Sequence, residues 1–428
     1  MKEEIEFKGY WFLPDNPHNR IAGILHYIPN KKIKLQLIGS FDTPTEFLNS
    51  ENERKENHPL IIHGESSNSR KITLIDCTPG ENSLNFSCSF PMQSFIPEYV
   101  IDGILINSIN DNFFNKITLS VPHLTSWMNH YALKYSVSFK EDKPYSFNMG
   151  YSLDDAHIIS VELNDNITLE MEYVCSPGDK YEEEVLIVQS HQLHIILKNP
   201  VALYELLNLT GRFKDFLSLA TLEPIDYSAL NLFTPTNYQE LESGRKVYIP
   251  INLLFVQKNV LYKKMKFSDF LFDYEKISSN FSYILKTWYH FDQNMAPIMQ
   301  HLIDSISPKK YFTKADFLIV IQALEGFHTR FRSKGKVNLQ SRLKQLHQEF
   351  AFVTSIKKLN IDYKIVVDSR HYYSHFFHKS EKEHIADGIE LYHLTASLKK
   401  ILICCVLRQT GIDDNSIIMI MNSNKTIP

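Results

Sequence analysis

The chain has 428 residues, of which 43% are hydrophobic and 22% are charged. At roughly 100–200 residues per domain, this length predicts two or three domains, and the composition excludes a disordered protein. The formal net charge is −4, so the chain as a whole is not a strongly basic nucleic-acid binder. Its five cysteines include no C-x2-C pair, which argues against a zinc ribbon and a dithiol redox site.

The N-terminus and the apolar runs predict a cytoplasmic protein with no membrane partner. The first ten residues, MKEEIEFKGY, have no apolar core behind a basic start and therefore do not resemble a signal peptide. The longest plain apolar run near the C-terminus, Ile401 to Leu407, is far shorter than the about 20 residues that a membrane-spanning helix needs.

The first half of the chain is predicted to be β-rich, because apolar and polar residues alternate there. One clear example is the segment from Ile167 to Tyr173, and others occur around Leu35 and Leu119. Such alternation places one face of a strand on a core and the other in water. Many short strands of this kind predict an antiparallel, sandwich-like domain over residues 1–225. Trp11 and Trp127 are expected in its core.

Residues 226–265 are predicted to connect this domain to a helical one at 266–428. Prolines punctuate the connection, and no period is evident in it. Beyond it the apolar residues recur every 3.6 positions, which predicts an all-α bundle of about five helices. Thr313 to Asp316 resembles a capping box that opens one helix, and Gly411 is placed to end the last one. The predicted fold class is therefore α+β with two domains.

Basic residues and histidines concentrate in the helical part. Residues 301–400 contain 17 Lys and Arg, 10 Asp and Glu, and eight of the 18 histidines. A basic segment inside an acidic chain points to a polyanionic partner, while an ordinary solvated helical face is the alternative.

The segment from Ile365 to His378, between two predicted helices, carries the densest set of reactive side chains. Arg370 could hold a phosphate through bidentate, charge-assisted hydrogen bonds. A histidine that titrates near neutral pH could take a proton from a ribose 2′-OH or protonate the leaving 5′-oxygen. RNA carries that internal nucleophile and DNA does not, so the segment favours RNA cleavage without a metal.

Two other interpretations of the segment remain open. His371, His375 and His378 are spaced i, i+4 and i+7, which places them on one helical face with a spacing suited to metal ligands. Alternatively, the segment is an aromatic-rich structural helix whose histidines do no chemistry.

Helical geometry constrains the pair of Arg370 and His375. Five residues correspond to about 500° around an ideal helix, which leaves the two Cα positions roughly 140° out of phase. We therefore expect either that Arg370 precedes the helix or that the site combines two copies of the segment in a symmetric dimer.

Arg370-x4-His375, between helices of a small C-terminal bundle, resembles the R-x4–6-H motif of HEPN ribonucleases. The wider string from Val366 to Phe376 is similar to the version found in ApeA-like HEPN proteins, where the usual form is close to Arg-Asn-Tyr-hydrophobic-Thr-His. Ala323-Leu-Glu325 and the N-terminal segments at Gly9 to Trp11 and Ile33 to Gly39 also resemble that family. This chain departs from the pattern at His371, which replaces the usual Asn.

The resemblance implies a metal-independent endoribonuclease without a cofactor, which dimerises through its HEPN domain and leaves a 2′,3′-cyclic phosphate. ApeA-type proteins act in bacterial anti-phage defence by abortive infection, and transfer RNA is a candidate target. Arg370 and His375 inherit the catalytic roles of the motif, and His371 is a candidate third member. The β-rich half would sense a phage trigger or restrain the nuclease.

Further residues are candidates for a supporting role around this site. They are Asp368, Tyr372, Tyr373, Glu325 and His328. A structural ion pair is the expected role of Glu325. The alternative to the nuclease is a non-catalytic HEPN module that binds nucleic acid or a partner protein.

Overall fold

The structure is a computed structural model, and it describes most of the chain in ten ranges. These ranges are residues 4–42, 61–80, 91–151, 158–180, 185–256, 269–291, 294–306, 313–333, 335–375 and 384–423. Within them the N-terminal part is built mainly from strands and the C-terminal part from helices.

The strands of the N-terminal part follow the alternation of apolar residues seen in the sequence. Their bounds are β1 Ile5–Leu13, β2 Asn16–Tyr27, β3 Lys34–Ile38, β4 Ile61–Ser66, β5 Lys71–Ile75, β6 Thr78–Pro79, β7 Met92–Ile96, β8 Tyr99–Asp102, β9 Phe114–Ser120, β10 Leu133–Lys140, β11 Lys143–Tyr151, β12 Ile158–Glu162, β13 Ile167–Lys180, β14 Val185–Val201, β15 Ala229–Phe233, β16 Tyr238–Glu240, β17 Lys246–Tyr248 and β18 Ile251–Phe255. Among the described residues, two helices lie between strands, α1 Leu124–Met128 and α2 Leu203–Thr221.

Fourteen of these strands form one hydrogen-bonded sheet whose paired strands run antiparallel. The strand order is β12-β13-β14-β9-β15-β18-β8-β5-β4-β1-β2-β3-β7-β6, and β10-β11 and β16-β17 form two small separate hairpins. Strands β15 and β18 lie inside the segment 226–265 that the sequence marks as a connection. The domain limits 1–225, 226–265 and 266–428 themselves stay a prediction.

The helices of the C-terminal part carry the apolar periodicity that begins near residue 266. A 3-10 turn, Glu275–Asn280, leads into them. Their bounds are α3 Phe281–Tyr289, α4 Ala296–Ile306, α5 Lys314–Phe331, α6 Leu339–Glu349, α7 Thr354–Lys357, α8 Tyr363–His375, α9 Gly388–Gln409 and α10 Asp414–Ser423. A β-rich N-terminal part followed by a helical part confirms the predicted α+β fold class.

Two apolar cores hold the chain together. The smaller one lies under the N-terminal strands and includes Trp11 and Leu254. The larger one joins the rest of the sheet to the helices, with Trp127 and Leu324 in the same cluster. Both tryptophans are fully buried, as expected from the sequence. The sheet and the helical bundle therefore share a continuous apolar core.

Local signals at the helix ends agree with the sequence. The backbone N–H of Thr313 donates to Asp316 Oδ2 at 2.8 Å, which confirms the predicted capping box at the start of α5. At the end of α9, Gly411 adopts a φ of 88°, a left-handed conformation that glycine tolerates best. In the part of the chain that the structure describes, no helix is both long and apolar enough to cross a lipid bilayer.

Candidate active site

Helix α8 carries the segment that the sequence singles out. Asp362, just before the helix, accepts hydrogen bonds at Oδ1 from the backbone N–H groups of Lys364 (2.9 Å) and Ile365 (3.2 Å). Such side-chain acceptors satisfy the free N–H groups of a first helical turn. The hydroxyl of Tyr363 also contacts His347 Nδ1 on α6. These contacts fix where α8 begins and hold it against α6.

The two faces of α8 differ in burial. Val366, Ser369 and Tyr373 are buried, and the helix packs against α5 and α6. The opposite face carries residues spaced i, i+3, i+4 and i+7, which share one side of a helix. They are Asp368, His371, Tyr372 and His375, of which the first three are half-buried and His375, the last residue of the helix, is exposed. Arg370 lies at the edge between the faces and is half-buried.

Ser369 and Tyr373 anchor α8 to the segment that precedes α9. The Tyr373 hydroxyl donates to the carbonyl of Ala386 at 2.8 Å, and the backbone N–H of Ala386 donates to Ser369 Oγ at 3.0 Å. Burial raises the pKa of Tyr373 to about 12, and the nearby negative charge of Asp387 adds to the effect. Tyr373 therefore stays protonated at neutral pH and acts as a hydrogen-bond donor that positions the helix.

Arg370 and His375 approach each other although their Cα positions are out of phase. Arg370 Nη1 lies 3.4 Å from His375 Nε2. The expectation that Arg370 precedes the helix is wrong, because Arg370 lies well inside α8. Helical phase describes only the direction in which each side chain leaves the helix. The long Arg370 side chain instead reaches around the helix surface to the imidazole at the C-terminal end.

Glu325 on α5 supplies a carboxylate near the pair. Its Oε2 lies 3.8 Å from Arg370 Nη2, and both side chains are about one-third exposed, at 36% and 31%. An ion pair with this exposure contributes little to stability, on the order of 0–1 kcal/mol. The ion pair mainly orients the guanidinium, which contacts both Glu325 and His375.

His328, one helical turn beyond Glu325 on α5, does not join the pair. It is fully buried, and its Nε2 lies 2.5 Å from Gln345 Oε1 on α6. Its Nδ1 is also buried and has no hydrogen-bond partner among the residues that the structure describes. The His328 imidazole thus links α5 to α6.

The two histidines on the outer face of α8 are neighbours. The ring centres of His371 and His375 are 6.1 Å apart, with an angle of 54° between the ring planes. The Tyr372 ring packs edge-on against Tyr373 at 5.0 Å. Asp368 lies one turn before His371 and Tyr372 on the same face. This face therefore carries two imidazoles and a carboxylate, and Arg370 lies at its edge.

The alternative of a metal site depends on His378, which lies outside the described residues. Within the ranges that the structure covers, no three or more His, Cys, Asp or Glu side chains are grouped so that they could hold a metal ion. The arrangement of Arg370, Glu325 and His375 instead suits an anionic ligand, because two of the three groups can donate hydrogen bonds to a phosphate.

Ser369 is a positioning residue that the sequence reasoning missed. A signal for it exists in the sequence, since Ser369 occupies the apolar stripe of α8 between Val366 and Tyr373 at spacings of three and four. A polar side chain on a buried stripe requires a hydrogen-bond partner. The partner itself, the backbone of Ala386, lies 17 residues away and cannot be read from the spacing.

Comparison with known protein families supports the relationship indicated by these residues. The family model described as ApeA N-terminal domain 1 matches residues 6–288, about two-thirds of the chain. The chain belongs to the ApeA family. A second model, described as Apea-like HEPN, matches residues 318–416 and thus includes Glu325 and all of α8. No curated protein and no solved structure shows a significant match to the chain.

Membership in the ApeA family associates the chain with anti-phage defence. HEPN domains are often ribonucleases that bind RNA and dimerise. The HEPN match therefore supports a role connected with nucleic acid for the helical part of this ApeA-family chain. It covers the Arg370–His375 pair.

Proposed function

We propose that the ApeA-type HEPN domain of this chain is a metal-independent endoribonuclease, a toxin that cleaves RNA during phage infection. The observation that carries the proposal is the 3.4 Å approach of Arg370 Nη1 to His375 Nε2 at an accessible helix end. A phosphodiester placed against these groups would have a cation and an acid–base group within reach of one phosphorus centre. Neither group needs a cofactor for this chemistry.

Arg370 binds the scissile phosphate and stabilises the negative charge that develops on it. Guanidinium donors directed at a developing charge act most strongly where their orientation is already fixed. Glu325 provides that orientation in the resting protein, at 3.8 Å from Nη2. A bound phosphate competes with this carboxylate for the guanidinium, so the ion pair exchanges as the substrate binds.

His375 transfers the proton. As a neutral imidazole it accepts the proton of the ribose 2′-OH, and as an imidazolium it protonates the leaving 5′-oxygen. His371, with its ring centre 6.1 Å away, is placed to take the second of these two steps or to hold the phosphate. A second copy of α8, brought in through a dimer of the helical domains, could supply either group.

The family's association with anti-phage defence supports the following proposed setting. Cleavage of transfer RNA would stop translation and abort the infection, and the β-rich domain would sense a phage trigger or restrain the nuclease. Dimerisation through the HEPN domain remains part of this proposal.

Cleavage of transfer RNA by purified protein, with and without EDTA, tests the proposal. We expect cleavage that persists in EDTA and leaves 2′,3′-cyclic phosphate and 5′-hydroxyl ends. We expect Arg370→Ala to lower kcat/KM at least about 100-fold. Arg20→Ala is the matched control, because Arg20 also forms an ion pair, with Glu65, but lies on the sheet.

Three outcomes would contradict the proposal. Cleavage lost in EDTA and restored by a divalent cation would indicate the metal site. RNA that stays intact but binds tightly would indicate the non-catalytic HEPN module. Cleavage of an RNA whose scissile nucleotide carries a 2′-deoxyribose would exclude the 2′-OH mechanism.

A further inference from the structure

One hairpin of the β-rich domain is separate from the large sheet. Strands β10 and β11 pair with each other as a two-stranded sheet, with Tyr135 opposite Met149 and Val137 opposite Phe147. Alternate residues of a strand point to the same side. One face of the hairpin is therefore apolar, and it consists of Tyr135, Val137, Phe139, Phe147, Met149 and Tyr151. We call this set the hairpin face.

The hairpin face lies open to solvent. Its side chains are exposed to between 39% for Val137 and 73% for Tyr135, and the rings of Tyr135 and Phe147 stack with centres 6.2 Å apart. With about 150–250 Å² per aromatic side chain, the face presents roughly 700 Å² of accessible surface. The largest apolar patch of a typical monomer covers about 300–600 Å² and often binds a partner.

The hairpin also needs a contact to be stable. An isolated two-stranded hairpin is at best marginally stable in water and becomes stable when its apolar face packs against another layer. Apart from their mutual pairing, β10 and β11 make no extensive contact with another element among the described residues. Burial of the hairpin face would supply the missing layer.

We propose that the hairpin face binds the hairpin face of a second copy of the chain, as a two-fold symmetric pair. The roughly 700 Å² on each copy is close to the about 800 Å² per partner of a standard protein interface. A two-fold axis brings the same patch of both copies together, and two sheets can pack face to face about 10 Å apart. The face contains no charged residue, so nothing in it repels its own copy.

The distribution of charge argues against single-stranded nucleic acid as the occupant. Proteins that stack bases on aromatic rings track the phosphates with cations beside those rings. Lys134 and Lys140 alternate with the apolar residues and therefore lie on the opposite face. At the tip, Lys140 Nζ lies 5.7 Å from the ring centre of Tyr145, the residue left unpaired at the β-bulge. A second apolar sheet fits the hairpin face better than a phosphate backbone does.

Cross-linking between cysteines tests the pair directly, and its readout does not depend on RNA cleavage. Val137→Cys places a thiol in the centre of the hairpin face, and Ser136→Cys places one on the opposite face of the same strand. With a bismaleimide cross-linker, Val137→Cys should give a covalent species of about twice 49.9 kDa, at least tenfold more than Ser136→Cys or the wild-type chain. Equal yields from the two variants would overturn the proposal.

Disruption of the hairpin face provides a second, independent measurement. The double variant Tyr135→Ser, Phe147→Ser should weaken self-association at least tenfold in sedimentation equilibrium, whether or not the helical domains also associate. Tyr10→Ser is the matched control, because Tyr10 is a 56% exposed tyrosine on β1. An unchanged association constant would overturn the proposal. So would a double variant that associates normally but loses binding of a fluorescent single-stranded RNA or of a phage protein.

Discussion

The histidines of the sheet and those of helix α8 occupy opposite environments. His191 and His194, on β14, are buried, and the ring of His194 lies 2.8 Å from both Thr118 Oγ1 and Glu172 Oε2. His375 is exposed at the end of α8, next to Arg370. The same residue type thus serves as a core polar group in one region and as an accessible side chain in the other.

The pKa values of these two sheet histidines are lowered because their side chains are buried. Burial lowers the pKa of His191 to about 4, with a smaller contribution from the nearby His130. Burial also lowers the pKa of His194, and the positive charge of Lys116 adds to this effect, while Glu172 opposes it. These imidazoles are neutral at pH 7 and buried, so a substrate in solution does not reach them. Accessibility, and not histidine content, therefore distinguishes the proposed site on α8 from the sheet.

The largest expected effect comes from the removal of the accessible imidazole. His375→Ala should lower kcat/KM for RNA cleavage by about 10²–10⁴, the usual contribution of a general acid–base group. Its free energy of unfolding should change by less than about 0.5 kcal/mol, because the side chain is exposed. His194→Ala should have the opposite pair of effects. It should lower the free energy of unfolding by about 1–3 kcal/mol, because Thr118 and Glu172 lose their contact with the imidazole. It should leave the rate of RNA cleavage almost unchanged.

RNA-cleavage kinetics and urea unfolding, measured on both variants, check that one variant loses activity and the other loses stability. His393→Ala, at an exposed histidine of α9, is the control, and both quantities should stay at the wild-type value. If His375→Ala cleaves RNA at the wild-type rate, the contrast between the two regions has no catalytic meaning.

Much of the fold could be predicted from the sequence, because hydrophobic periodicity and helix caps are local patterns. The alternation from Ile167 to Tyr173 predicts β13, and Thr313 to Asp316 predicts the start of α5. The strands at 229–233 and 251–255 were not predicted, because each is only five residues long and adjoins segments without hydrophobic periodicity. Their place in the sheet depends on distant partners, for example Asn252 opposite Asp102, which no local pattern encodes.

The candidate site could be predicted in its members but not in its geometry. The motif identified Arg370 and His375 from residue type and spacing. Helical phase alone then suggested that they could not meet, because it ignores the reach of an arginine side chain. The supporting contacts also lay beyond the sequence, since Ser369 binds the backbone of Ala386 and Glu325 comes from another helix.

The next largest effect concerns the stability of the sheet at low pH. The pKa of His191 is about 4 in the folded chain and ordinarily 6.5, so the unfolded chain binds the proton more strongly. The stability that this group contributes is fully present above pH 6.5 and is lost as the pH falls toward 4. Between pH 7 and pH 4.5 the wild-type chain should lose roughly 2 kcal/mol through His191.

His191→Phe isolates that contribution, because it keeps a ring against Tyr173 and removes the titration. Urea unfolding at a series of pH values should give a shallower loss of stability for the variant than for the wild type. Parallel curves for the two proteins would show that His191 is not held neutral by the fold, which would weaken the contrast with α8.

The smallest expected effect distinguishes the two histidines of α8 from each other. His371→Asn introduces the residue that the family pattern usually has at this position. His371 is half-buried and its ring centre is 6.1 Å from that of His375, so it is placed to assist proton transfer. We expect a loss of about tenfold in kcat, equivalent to about 1.4 kcal/mol, far less than for His375→Ala. One ionisation should also disappear from the pH–rate profile of this variant. His393→Asn is the control, and its profile should match that of the wild type. A rate equal to or above that of the wild type, with an unchanged profile, would make His371 a spectator and leave His375 as the proton-transfer group of this face.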